Sequence, residues 1–171
     1  MTLPPELRRA YERGRVASAA LATTPICLLS LTSLCVGEPR LVSLALCCAL
    51  PLAFGVARWM GRGWGRGAVI GVVASLPALL APLCLSVAGH PCDGATCARW
   101  SGVLCVSVGA LAGAVIGARV IDVPARLSAL GLATLAAALG CMPFGLGVVG
   151  GAVLALGVSA AGMVAARWAL A

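Results

Sequence analysis

The sequence predicts an all-α fold: a polytopic membrane protein, a bundle of six transmembrane helices with both termini on the cytoplasmic side. Three observations predict it. Hydrophobic residues make up 61% of the 171-residue chain and charged residues only 10%. Ordinary soluble domains are about 25% charged, so too little polar surface is present to cover a water-soluble globule. The apolar residues fall into six runs near the roughly 20 residues that a membrane helix needs. The basic residues gather at every second junction between those runs, as the positive-inside rule requires.

The elements follow in order. A short cytoplasmic segment, residues 1–15, precedes a single transmembrane domain, residues 16–171. Its spans are Val16–Val36, Leu41–Met60, Gly67–Ala88, Ser101–Ile121, Arg126–Met142 and Leu146–Trp168. The first run exceeds the apolar stretch of a cleaved signal peptide, and no clear small-residue cleavage site follows it. Pro25, Pro51, Pro77 and Pro82 fall within the first three spans, where each removes a helical hydrogen bond and favours a kink. These three kinked helices are the ones expected to line any cavity.

Orientation is read from arginine alone, because the chain has no lysine. Arg8, Arg9, Arg13, Arg15, Arg58, Arg62, Arg66, Arg119, Arg126 and Arg167 fall on one side if six helices alternate, and only Arg40 and Arg99 on the other. Ten against two supports N-in, C-in, and leaving out one span would scramble the split. Trp59, Trp64 and Trp168 then lie at the inner interface and Trp100 at the outer, the zone an amphipathic ring prefers. The net charge of +7 is therefore assigned to topology rather than to nucleic acid. Aromatics at 4% of the chain also argue against a platform for stacking bases.

The nine cysteines divide by context. Most lie in apolar runs, where cysteine behaves as a small hydrophobe. Cys92 and Cys97 lie in the outer loop "GHPCDGATCARW" beside His90, the only histidine. That loop faces an oxidising compartment if the membrane is a bacterial inner membrane. With Asp93-Gly94 to form a turn, the expectation is a structural Cys92–Cys97 disulfide. His90, Cys92, Cys97 and Asp93 could in principle close a four-ligand metal site, but adjacent positions 92 and 93 make the geometry awkward. No metal and no cofactor is expected.

Span four carries Gly109, Gly113 and Gly117, four residues apart and so on one helix face. Span six carries Gly147 and Gly151 at the same spacing. These are read as surfaces for close helix packing, within the chain or between subunits. The phrase "GAVIG" occurs at Gly67–Gly71 and again at Gly113–Gly117. So short an apolar match is read as coincidence, with a three-plus-three inverted repeat as the alternative. The inner stretch "RWMGRGWGRG" places Arg58, Arg62 and Arg66 among glycines at 61, 63, 65 and 67. Those glycines predict a flexible basic loop, suited to topology or to contact with anionic lipid or an acidic partner.

No Asp, Glu, Lys or His sits deep in any span, which counts against a proton relay. No P-loop, G-x-S-x-G or H-E-x-x-H motif is present, so the chain is not expected to be an enzyme. Cys47-Cys48 followed by Pro51 is similar to the vicinal pair in the first membrane helix of small mercury-uptake proteins. That resemblance implies soft-metal handling by Cys47 and Cys48. The chain differs from them in span count and in placing its second cysteine pair outside. Six spans behind a short tail look like the plan of membrane-embedded anti-sigma regulators, which carry longer tails.

The leading expectation is a non-enzymatic, multi-pass inner-membrane protein, either a small permease or the membrane subunit of a larger assembly. Its expected partners are the lipid bilayer and a membrane protein or a second copy, not nucleic acid. The alternatives are a regulator that holds a cytosolic partner through its N-terminal tail and Arg58–Arg66, and a thiol or soft-metal handling protein facing the periplasm.

Overall fold

A computed structural model describes residues 5–36, 41–87 and 95–170. Six α-helices account for nearly all of them, and no strand occurs among the described residues. They are α1 (Pro5–Val36), α2 (Leu41–Met60), α3 (Arg62–Val87), α4 (Ala95–Arg119), α5 (Val123–Cys141) and α6 (Leu146–Ala169). Each contains a segment long and apolar enough to cross a membrane. The chain is a six-helix, multi-pass membrane protein.

The junctions explain why the helices stop where they do. Only Gly61 separates α2 from α3, and its φ of +126° is a left-handed conformation that glycine adopts without a Cβ penalty. Helix α3 then runs straight through Gly63, Gly65 and Gly67. The expected flexible loop is thus one residue long. Arg58 lies in the last turn of α2, and Arg62 and Arg66 in the first turns of α3. Glycine's low propensity in a helix is worth about 1 kcal/mol per residue, and packing of α3 against its neighbours outweighs it here. Asp122 occupies the N-cap of α5 with Pro124 just inside the helix, a start that proline favours because the first turn needs no N–H donor. At the far end of α5, a short turn of 3₁₀ helix (Met142–Phe144) and Gly145, φ +105°, lead into α6.

The α3 and α5 helices pack along each other, as do α4 and α6 and, more loosely, α1 and α2. Helix α5 touches all of the others and is the most buried span. The α4–α6 pair lies on one side of it and the α1–α2 pair on the other. Arg15 of α1 donates to the Trp59 carbonyl of α2, Gly63 of α3 approaches Pro124 beside the start of α5, and Arg167 of α6 donates to the Ala118 carbonyl of α4. One end of the bundle therefore collects these arginines; it is called the basic end below.

Two of the helix pairs are joined through glycine. A Cβ placed on Gly71 would come 2.8 Å from the Ala129 Cα, and one on Gly67 would come 2.6 Å from the Ala125 carbonyl carbon. Glycine is the residue that lets these backbones meet. Gly113 meets Leu156 and Ser159 in the same way, and Gly117 meets Ala160. The two copies of "GAVIG" thus do the same job. Each lies on a parallel partner, "ARLSA" at 125–129 for the first and "LGVSA" at 156–160 for the second. In both, the partner serine donates to its own helix, Ser128 to Ala125 and Ser159 to Leu156. Ile70 and Ile116, the fourth residue of each copy, join one apolar cluster with Val120, Ala125 and Ala129. Gly109 continues the α4 seam against Ala152, and Gly140 of α5 meets Ala78 of α3.

The other end of the core holds a disulfide between Cys105 of α4 and Cys141 of α5, with Cα atoms 6.3 Å apart. Both residues are buried. By sequence these two are small hydrophobes within apolar runs; the helix packing brings them together across 36 residues of chain. Cys92 and His90 lie outside the described residues, as does the Cys97 side chain, so the expected loop disulfide does too.

Candidate functional site between the first two helices

The α1–α2 pair has no glycine seam. Gly55 is its nearest equivalent, and a Cβ there would rest 3.5 Å from Thr23 Oγ1, an ordinary contact. Side chains therefore hold these helices apart, and a groove of about 1030 Å³ opens between them. Val16, Ala19, Ala20, Thr23 and Cys27 form one wall; Cys48, Pro51, Gly55, Val56 and Trp59 form the other. Small residues on α1 and the missing Cβ of Gly55 make the space. Thr23 and Thr24 donate their hydroxyls to Ala19 and Ala20, four residues back in their own helix, at 2.7 and 3.1 Å, so the hydroxyl hydrogens of this wall are already used.

At the basic end the groove meets a smaller cavity of about 300 Å³ lined by Tyr11, Gly14, Arg15, Ser18, Ala19 and Arg58. Ala19 lines both. Arg15 is held by its bond to the Trp59 carbonyl and lies 5.9 Å from the centre of the Tyr11 ring, within cation–π range. Arg58 has no hydrogen-bond or ion-pair partner among the described residues, and no acidic side chain lines the cavity.

A second arginine pocket at the same end, about 350 Å³, is lined by Ile121, Val123, Arg126, Val164, Arg167 and Trp168. Its arginines are engaged. Arg126 donates to the Val120 carbonyl at 2.9 and 3.2 Å and to Ile121 at 3.3 Å, and Arg167 donates to Ala118 at 3.2 Å. These carbonyls sit at and just past the end of α4, where no further helix turn follows to satisfy them. Cationic side chains also suit the negative end of the helix dipole.

The thiols singled out in the sequence separate. Cys47 is buried beside Leu50 and Phe54 in the core, whereas Cys48 is exposed on the groove wall opposite Cys27. Adjacent helical residues point about 100° apart, so a vicinal pair on a straight helix faces two environments. Among the described residues no group of three or more His, Cys, Asp or Glu could hold a metal ion.

Of the glycines singled out for packing, Gly109, Gly113 and Gly117 lie against α6, and Gly151 faces the Val106 side chain of α4. Gly147 has nothing within 4 Å of a Cβ placed on it, nor do Gly150 and Gly157 on the same exposed face. In the sequence Tyr11, Thr23 and Gly55 belong to no motif, and Arg15 marks topology only. A signal was present: Arg15 and Arg58 each begin a run of small or apolar residues toward mid-span. What was missing was the pairing of α1 with α2. No protein-family model matches the chain, and comparison with curated proteins and with solved structures gives no match either.

Proposed function

We propose that the chain is a non-enzymatic membrane subunit that docks, within the bilayer, against a transmembrane helix of another subunit through the outer face of α6. The observation that carries this reading is the unfilled row Gly147, Gly150, Leu154, Gly157 and Ala161. All five are exposed, and a Cβ at any of the three glycines would meet nothing within 4 Å. The spacing of three and four residues puts them on one stripe. Glycine costs a helix about 1 kcal/mol relative to alanine, and lipid offers no return for that cost. On α4 a row of glycines at comparable spacing, Gly109, Gly113 and Gly117, is filled by direct contact with a neighbouring backbone. A subunit reading is favoured over a permease because, among the described residues, the buried polar side chains are serines and no buried side-chain polar atom lacks a partner.

The same reading places the basic end in the cytoplasm of a cell with an inner membrane. The arginines of the basic end support that placement through the positive-inside rule. Reporter or thiol labelling at Gly37, Gly94 and Pro143 against Gly63 and Pro124 tests it; labelling of Gly63 from outside would reverse it.

Docking is tested by cross-linking in native membranes from a cysteine placed at Gly150. The expected result is a cross-link to a membrane polypeptide, or to a second copy, which is lost in Gly157→Leu while the monomer stays folded. Uncross-linked monomer at every α6 position would sink the reading. A soluble cytosolic protein captured instead through Arg58–Arg66 would favour the regulator.

A further inference from the structure

The groove and the arginine cavity on α1 and α2 form one continuous surface, apolar along its length and cationic at one end. We propose that it binds one anionic phospholipid of the leaflet at the basic end, with acyl chains in the groove and the phosphate between Arg15 and Arg58. The proposal concerns a different face from α6 and stands without the docking reading.

Three observations select this occupant. The first is length. The walls run from Val16 to Cys27 on α1 and from Cys48 to Trp59 on α2, about 17 Å at the rise of an α-helix. The hydrocarbon core is about 30 Å thick, so the groove is one leaflet deep. That is the reach of a lipid tail, whereas a transmembrane helix would need a groove across both leaflets. The second is chemistry. The wall is built from Val16, Ala20, Pro51, Leu52 and Val56, and its two threonine hydroxyls are committed to their own helix. Apart from the Cys27 and Cys48 thiols, no side-chain donor is left on these walls for a peptide to recognise.

The third is charge. Arg58 is without a partner among the described residues, and Arg15 spends one N–H on the Trp59 carbonyl. A guanidinium has five N–H donors in a planar fork, so Arg15 keeps most of its donors for a phosphate, two of whose oxygens that fork can pair with. The pocket at Arg126 and Arg167 supplies the contrast. There both guanidiniums donate to carbonyls at and just past the end of α4.

The test uses the full-length chain in detergent micelles and native mass spectrometry. The protein is offered equal amounts of phosphatidylglycerol and phosphatidylcholine with identical acyl chains. One phosphatidylglycerol is expected to be retained in preference. Arg58→Gln should lower that preference about fivefold, the effect of one arginine near an anionic headgroup, and Arg58→Lys should keep most of it. Ala20→Leu, which fills the groove from its open side, should reduce retention of both lipids without changing their ratio. Equal retention of the two lipids by the unaltered chain, or an unchanged ratio in Arg58→Gln, would overturn the headgroup assignment. Undiminished binding in Ala20→Leu would overturn the placement of the chains. A second polypeptide held in place of lipid, and released by Ala20→Leu, would overturn the choice of occupant.

Discussion

Two kinds of helix contact coexist in this bundle. In the α4–α6 and α3–α5 pairs, glycine brings one backbone against another: Gly113 on Leu156, Gly71 on Ala129. In the α1–α2 pair, Thr23 and its neighbours keep the helices apart, and the space between them is a groove. The first contact excludes everything, including a methyl group. The second leaves room for a guest. Composition alone does not separate them, since both regions are rich in small residues. What separates them is whether the missing side chains of one helix face a backbone or an opening.

The largest way to disturb this contrast is to cut the covalent tie within the tight half. Cys105→Ala/Cys141→Ala removes a bridge closing 36 residues, worth about 4 kcal/mol on the chain-entropy model. Thermal unfolding in detergent should show a clearly lowered midpoint, reproduced in the unaltered chain by reduction. An unchanged midpoint would mean that α4 and α5 hold their register without the bridge.

Next comes a single methyl group. Gly113→Ala should destabilise by about 2 kcal/mol, because the new Cβ lands 2.9 Å from the Leu156 carbonyl carbon and the helices must part. Arg126→Gln should cost less, about 1 kcal/mol, by withdrawing donors from Val120 and Ile121. Smallest, and of opposite sign, is Gly55→Ala. Its Cβ has ordinary clearance from Thr23, so the gain in helix propensity should stabilise by about 0.5 kcal/mol. The same substitution with opposite signs in the two regions is the sharpest check on the distinction. Destabilisation at both sites would erase it.

The sequence made some of this legible. Apolar runs and segregated arginines suffice to count helices, because both reflect a solvent, the bilayer, that acts on each segment separately. The face of Gly109, Gly113 and Gly117 was visible for the same reason: a repeat of four is a property of one helix. Partnership was not visible. Nothing local says that this face meets α6 rather than α3 or α5, so the bridge from Cys105 to Cys141 and the groove between α1 and α2 both stayed hidden. The two copies of "GAVIG" show the limit well. Five letters were too few to mean anything until their partners, "ARLSA" and "LGVSA", stood beside them with a serine in the same place. At Arg58–Arg66 structure departs from local sequence in the other direction. Glycine's weak helix propensity suggested a loop, and packing of α3 on α5 through Gly67 made a helix of it.

Helix α1 runs unbroken from Pro5 to Val36, 32 residues, or about 48 Å. That exceeds the hydrocarbon core by roughly 18 Å, so part of the helix stands clear of the membrane as an extension of the same rigid rod. Arg15 and Trp59 join the rod to α2 near the level where it emerges, which makes that joint a fulcrum. A load applied to the outer turns would reach the membrane-embedded length of α1 through this joint, beside Gly14, and so bear on the wall of the groove.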